Sequence, residues 1–260
     1  MNTTNNTTTL PEGHPVQVYF QEKGIINALL EELTATNPVE EIQKYTNIFN
    51  QLHTIEKRFA RKENQLFPFL EKKGWNGPSQ GMWSFHDNLR EQFRLIQYYL
   101  KMNNFDKISI NTPLLVSGIE RLMGVEETVL FPNALDLLTE ADWIEMRKGE
   151  EEIGWMLPQA PAPYPKQEYI HPSEDFTKRE MSFSLENTSH YDEGYMTVEQ
   201  VNLLFRTLPL DLTYVDENDK VIFYNRGEER VFPRSAGIIG REVKFCHPPK
   251  SVDTVLRILE

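Results

Sequence analysis

Three ionisable residues stand where helical apolar stripes have gaps. The stripe Leu52, Ile55, Phe59, Leu66 and Leu70 is missing a step, and Glu63 fills it. His86 fills the same kind of gap in Met82, Leu89, Phe93, Ile96 and Leu100. Leu115, Ile119, Leu122, Leu130 and Leu137 frame Glu126, with Glu127 beside it. Helical periodicity therefore aims these side chains at the interior with their apolar neighbours. A buried carboxylate costs several kcal/mol unless it is protonated, paired or bound to a cation. Carboxylates and imidazoles at one level form a divalent-metal site, and mixed His and carboxylate donors suit iron, manganese or zinc. Helix-bundle interiors hold carboxylate-bridged di-iron sites in this way. The competing reading is ionic: Arg58, Arg90 and Arg94 lie nearby and could neutralise Glu63, Glu126 or Glu127 with no metal.

The elements that must position these residues are helices near 15–34, 38–72, 79–102 and 113–138, and a shorter one near 140–153. Asn37-Pro38-Val39-Glu40 reads as a helix start, with Asn at the N-cap and Pro at the first helical position. Thr112-Pro113 and Thr139-Glu140-Ala141-Asp142 repeat that logic, and Gly74 and Gly77-Pro78 mark a break. Four long helices with short connections predict an all-α antiparallel, up-down four-helix bundle. Counting back from the loops sets Glu63 level with residue 88, near His86, and His86 level with residue 129, near Glu127. These mismatches are about 3 Å at the helical rise, whereas His14 falls about 9 Å from the level of Glu63. An internal repeat, E-x-x-L-F-P, occurs at Glu63–Pro68 and Glu127–Pro132. In alternate helices of a bundle the two copies would be related by a pseudo-two-fold axis.

Composition bounds the function classes. The chain has 260 residues, 39 acidic against 27 basic, and a net charge of −12. That balance is poor for general nucleic-acid binding, which needs a basic footprint. One cysteine, Cys246, excludes an internal disulfide scaffold and multi-cysteine metal sites within one chain. No stretch approaches the ~20 apolar residues needed to span a bilayer. Residues 1–12 read as a disordered tail without the features of a targeting peptide, so a cytoplasmic protein with no membrane partner is expected. Prolines 158, 161, 163, 165 and 172 mark a linker over 157–196, within which Met181–Leu185 alternates like a strand. From Thr197 the pattern changes: a short helix over 198–208, strands at Leu210–Val215 and Val221–Asn225 joined by a turn, and a helix over 251–259. Cys246-His247 are competent haem or metal donors, but the pair reads better as a turn into the last helix.

Residues 13–156 resemble the hemerythrin-like HHE cation-binding domain. The resemblance rests on Gly13-His14-Pro15, on Arg61 to Pro68, on Met82-Trp83-Ser84-Phe85-His86-Asp87, and on Glu126 to Pro132. It implies a metal set of His14, Glu63, His86 and Glu127, with Glu126 beside it, holding non-haem iron. Arg58, Arg90, and Leu122 with Met123 stand where that family commonly has histidines. A histidine-rich, oxygen-carrying di-iron site therefore cannot form. Residues 197–260 resemble a PAS domain, carried by Leu208 to Asp216, Val221 to Asn225 and Ile239-Gly240-Arg241. The chain stops inside its last readable helix, so the α+β PAS fold would be incomplete. A haem on this part is not expected.

Together these readings imply a metal-binding sensor of oxygen, nitric oxide or redox state. Its PAS part would relay the signal to a signalling protein or through self-association. The alternatives are a metal-free interaction module with a buried Arg/Glu network, and a non-haem iron oxidase, peroxidase or iron-handling enzyme. A catalytic constellation beyond the metal set is not visible, which disfavours the enzyme.

Overall fold

The computed structural model describes residues 10–166, 188–190, 193–226 and 236–259. Its first part is helical: α1 (Pro15–Ala35), α2 (Ile42–His53), α3 (Glu56–Arg61), α4 (Phe67–Lys72), α5 (Gly77–Lys101), α6 (Phe105–Val125), α7 (Phe131–Leu137) and α8 (Glu140–Ile153). Two π-helical turns, Lys62–Leu66 and Glu126–Leu130, join α3 to α4 and α6 to α7. α1 packs on α2 and α6, α5 packs on α6, and α8 lies against α1, α3 and the first π turn. Tyr19, Phe49, Phe59, Phe67, Phe93 and Phe131 are fully or almost fully buried in the shared core. Gly118 sets the closeness of α5 and α6, because a Cβ there would meet Leu89 Cδ2 at 2.8 Å.

Two predicted helix starts move. The chain at Asn37-Pro38 makes a turn, in which Asn37 Oδ1 accepts from the Val39 N–H at 2.9 Å, and α2 begins only at Ile42. The helix predicted to open at Thr112-Pro113 opens at Phe105, capped by the Asn104 side chain, with Pro113 inside it. Asn103 takes φ 51° and turns the chain tightly, so only a short loop is needed after α5. At Thr139 the predicted cap is present as a reciprocal capping box with Asp142.

The described start of the proline-rich stretch lies on the helical part. Tyr164 is buried, its ring sits 5.0 Å from that of His14, and its hydroxyl donates to Glu140 at 2.5 Å. Arg147 donates to the carbonyls of Pro161 and Ala162. The strand-like stretch at Met181–Leu185 lies outside the described residues.

The C-terminal part is a small sheet region. β1 (Thr188–His190) pairs antiparallel with β2 (Tyr195–Thr197), and β3 (Thr213–Val215) with β4 (Val221–Tyr224). The β3–β4 turn is held by Asp216 Oδ1, which accepts from the N–H groups of Asn218 and Lys220. α9 (Val198–Thr207) is tied to the hairpin by Asn225: its amide donates to the Phe205 and Leu210 carbonyls and accepts from the Leu212 N–H. Two 3-10 turns, Ala236–Ile238 and Val243–Cys246, lead to α10 (Pro249–Leu259). Val221, Ile238 and Val243 form a second, smaller core. Among the described residues, no helix is long and apolar enough to cross a membrane.

Candidate functional site

Each E-x-x-L-F-P copy coincides with a π turn, and the proline supplies a reason. Proline has no N–H, and its ring clashes with the carbonyl four residues back. The turn before it widens by one residue, as π bulges do. The Phe67 N–H bonds the Lys62 carbonyl and the Phe131 N–H bonds the Glu126 carbonyl, both five residues back. The widening also rotates extra positions inward. Arg61, Lys62, Glu63, Gln65 and Leu66 are all buried, which a regular helix with one apolar face would not allow.

These inward positions form a buried ionic network. Glu126 accepts from Arg58 Nε at 3.1 Å, from the Arg58 terminal nitrogen, and from Lys62 Nζ. Lys62 Nζ also lies 2.7 Å from His86 Nε2. An ammonium can only donate, so Nε2 accepts, which assigns the ring proton to Nδ1. Nδ1 in turn faces Glu63 Oε1 at 2.7 Å. His86 is stacked on Phe59, with centroids 4.5 Å apart, and burial with the adjacent Lys62 charge holds its pKa well below the usual histidine range. Arg90 forks onto both oxygens of Glu63 at 2.9 and 2.8 Å and onto Glu56. On the far side, Glu22 accepts from Arg58 at 3.3 Å and from Arg61. Burial pushes the Lys62 amine down to about 8, against the pull of Glu126. Burial opposes ionisation of Glu126 too, but Arg58 and Lys62 outweigh it and bring the carboxyl down to about 2. The cations Arg58, Arg61, Lys62 and Arg90 thus face carboxylates from α1, both π turns and α8.

This arrangement does not fit a metal ion. Lys62 Nζ occupies the point that His86 Nε2 and Glu126 would share as ligands, and an ammonium and a divalent ion repel each other there. No three His, Cys, Asp or Glu side chains among the described residues converge as a metal-holding group.

Of the residues predicted to form the site, Glu63, His86 and Glu126 are brought together, linked through Lys62. His14 has another job. It caps α1, with Nδ1 accepting from the Val16 N–H at 3.1 Å, and it packs on Trp143 and Tyr164. Burial lowers its pKa to about 4. Glu127 lies nearer the surface, paired with Lys23. Arg58 and Arg90 join the network as the ionic reading expects, while Arg94 stays exposed and pairs with Glu91. Glu22, Arg61, Lys62 and Glu150 escaped the sequence reading. Glu22 was detectable, since it continues the α1 stripe of Val18, Tyr19 and Ile26 at helical spacing. Lys62 was not, because its burial depends on the π turn.

The network reaches the C-terminal part through Arg241. Gly240, at φ 82°, turns the chain onto the start of β4. There the Gly240 N–H donates to the Val221 carbonyl and the Val221 N–H to the Arg241 carbonyl. From this fixed backbone, Arg241 forks onto Glu71 of α4 with two 2.7 Å bonds. Its third donor bonds the Glu63 carbonyl at 3.1 Å. That carbonyl is left over by the π turn: Phe67 has shifted to Lys62, and Pro68, five residues on, has no N–H. Beside this contact lies a cleft of about 670 Å³, walled by Trp83 and Arg90 on one side and Thr213, Val215 and Val221 on the other.

A PAS domain family model matches residues 201–260. A search of curated proteins gives no match. Among solved structures, the crystal structure of a C-terminal domain from Streptococcus mutans is 38% identical over 27% of this chain and 55% of that one, with a TM-score of 0.26. The chain thus spans about half the length of that structure. The PAS match indicates a sensory or signal-relay role for this part, of the kind in which such domains mediate protein interaction or dimerisation.

Proposed function

We propose that this chain is a signal-relay protein. Its helical part is a hemerythrin-like four-helix bundle whose interior charge is balanced by its own cations, and its PAS part reads the state of that bundle through Arg241. The observation that carries this reading is the Arg241 contact. One PAS-side guanidinium satisfies the carbonyl that the first π turn leaves over, and the side chain of that same residue, Glu63, belongs to the buried network. A shift in the network that changes the π turn therefore changes an acceptor of Arg241. Output would pass to a partner protein or a second copy through the PAS part, where Leu203, Tyr214, Ile222 and Ile258 are exposed.

Hydrogen exchange on Arg241→Ala in the full chain tests the coupling. Amides of 236–246 and of the first π turn are expected to lose protection while α5 and α6 keep theirs. Unchanged protection on both sides of the contact would defeat the proposal.

A further inference from the structure

The charged chain through the helical part runs Glu126, Arg58, Glu22, Arg61, and it ends at Glu150 in the last turn of α8. Glu150 is fully buried, yet its nearest cation, Arg61, stops at 3.8 Å. Among the described residues neither oxygen of Glu150 has a well-formed hydrogen bond, although the Trp155 indole N–H faces the carboxyl, and Arg61 Nε and Nη1 and the Tyr19 hydroxyl are likewise left without one. Buried polar groups are nearly always satisfied, so so many left in one region call for an explanation. An ionised carboxylate without a full set of hydrogen bonds is the costliest of them. It also sits at the C-terminal end of a helix, where the backbone dipole disfavours negative charge.

We propose that Glu150 is a proton-binding site, a carboxyl group walled in between α1, α3 and α8 that holds its proton when neutral and, on losing it to solvent, competes with Glu22 for Arg61. The groups that face it are Tyr19 and Glu22 from α1, Arg61 from α3, Arg147 from α8 itself and the Trp155 indole just beyond it. The first π turn, which also packs on α8, carries Lys62 and Glu63, whose charges are paired with Glu126 and with His86 and Arg90, and the 3-10 turn Ala236–Ile238 adds no charge. Tyr19 stays a phenol, since burial raises it well above its ordinary value. Burial likewise raises the Glu150 carboxyl to about 7, with Arg61 and Arg147 opposing only in part. The ligand is thus a proton exchanged near neutrality. Ionised Glu150 draws on Arg61, Arg61 holds Glu22, and Glu22 also holds Arg58 of the central network. Any consequence for the PAS part rests on the relay reading above, but the proton site itself does not.

The test is a pH-difference infrared titration of the full chain beside Glu150→Gln. A buried protonated carboxyl band should be present at about pH 6, fall to half near pH 7 and be missing in the variant. No such band in the wild type, or the same band in the variant, would overturn the site. Should the Gln variant not fold, Glu150→Asp, which keeps the acid on a shorter arm, must shift the band; an unshifted band refutes the assignment. The thermal midpoint gives a second reading. Folding raises this pKa above its unfolded value of 4.5, so the contribution is full below about 4.5 and is lost as pH rises to about 7. The Gln variant should therefore gain on the wild type as pH rises through that window. His14 acts with the opposite sign, its contribution being lost as pH falls from 6.5 to about 4, and it cancels in the comparison. If the titration is seen but exchange at 236–246 does not follow it, the proton site stands and the relay reading falls.

Discussion

The two E-x-x-L-F-P copies carry the same backbone device to different ends. Aligned on Pro68 and Pro132, Lys62 corresponds to Glu126 and Glu63 to Glu127. Both copies form a π turn over the same five positions. The first aligned pair carries opposite charges, and the two residues bond each other across the interior. The second pair diverges. Glu63 is held by His86 and Arg90, while Glu127 keeps a 27% exposed side chain and pairs with Lys23. A motif can thus dictate a local backbone without dictating an environment. Neighbouring helices decide which of Glu63 and Glu127 is dry; both turns join the buried network, through Lys62 and Glu126, but it is the first that the C-terminal part touches.

The largest expected effect comes from breaking the bond between the copies. Glu126→Ala leaves Lys62 and Arg58 buried without their main counter-charge, and should destabilise the chain by about 3–5 kcal/mol in urea unfolding. The double change Lys62→Met with Glu126→Leu should recover the part of that loss that comes from the stranded Lys62, while Arg58 keeps only Glu22. If the single variant costs less than about 1 kcal/mol, the network is not the support described. Acid should act through the same residue. The Glu126 carboxyl is depressed from 4.5 to about 2 on folding, so its contribution is present above about 4.5 and lost as pH falls towards 2. The Glu126→Ala variant should lack that part of the acid dependence.

Next in size is the contact made by the first copy alone. Arg241→Lys keeps the charge but loses the fork and the bond to the Glu63 carbonyl, and should cost about 1–3 kcal/mol. Pro132→Ala in the second copy, which Arg241 does not touch, should leave exchange at 236–246 unchanged. Pro68→Ala should alter it, because an N–H at 68 competes with Arg241 for the Glu63 carbonyl. Equal effects of the two proline variants would erase the difference between the copies.

Smaller still is the metal response. With Lys62 seated between His86 and Glu126, adding ferrous iron or a chelator should shift the thermal midpoint by less than about 2 °C, since only a ligand bound to the folded state stabilises it. Iron near one per chain in protein purified without chelator, lost in Glu63→Ala and His86→Ala, would favour the metal-sensor reading instead. The smallest effect belongs to the divergent position. Glu127→Gln removes a surface pair and should cost no more than about 0.5 kcal/mol, against about 1–3 kcal/mol for Glu63→Gln.

Much of this was legible in the residues. The gaps at Glu63, His86 and Glu126 exposed the polar interior, because helical period alone decides which side chains share a face. The E-x-x-L-F-P repeat was visible although the π turns it carries were not, and Arg58 and Arg90 announced the ionic alternative. The β3–β4 hairpin could be read from its alternation and its turn, and Ile239-Gly240-Arg241 was noticed without its role. The start of α6 was misplaced because Thr112-Pro113 carries the pattern of a helix N-terminus, and only packing against α5 makes a proline inside that helix acceptable.

By itself, then, the sequence determined the helical segments, the repeated motif and the inward place of Glu63, His86 and Glu126, since these depend on neighbours within a few residues. Only the tertiary structure decided how the charges are shared. The π turn brings Lys62 between His86 and Glu126, α1 supplies Glu22 from thirty-six residues away, and the segment bonded to the start of β4 delivers Arg241 to a carbonyl that local geometry had left unbonded. Those choices depend on electrostatics at distances of about 3 Å between segments remote in the chain, which no local pattern encodes.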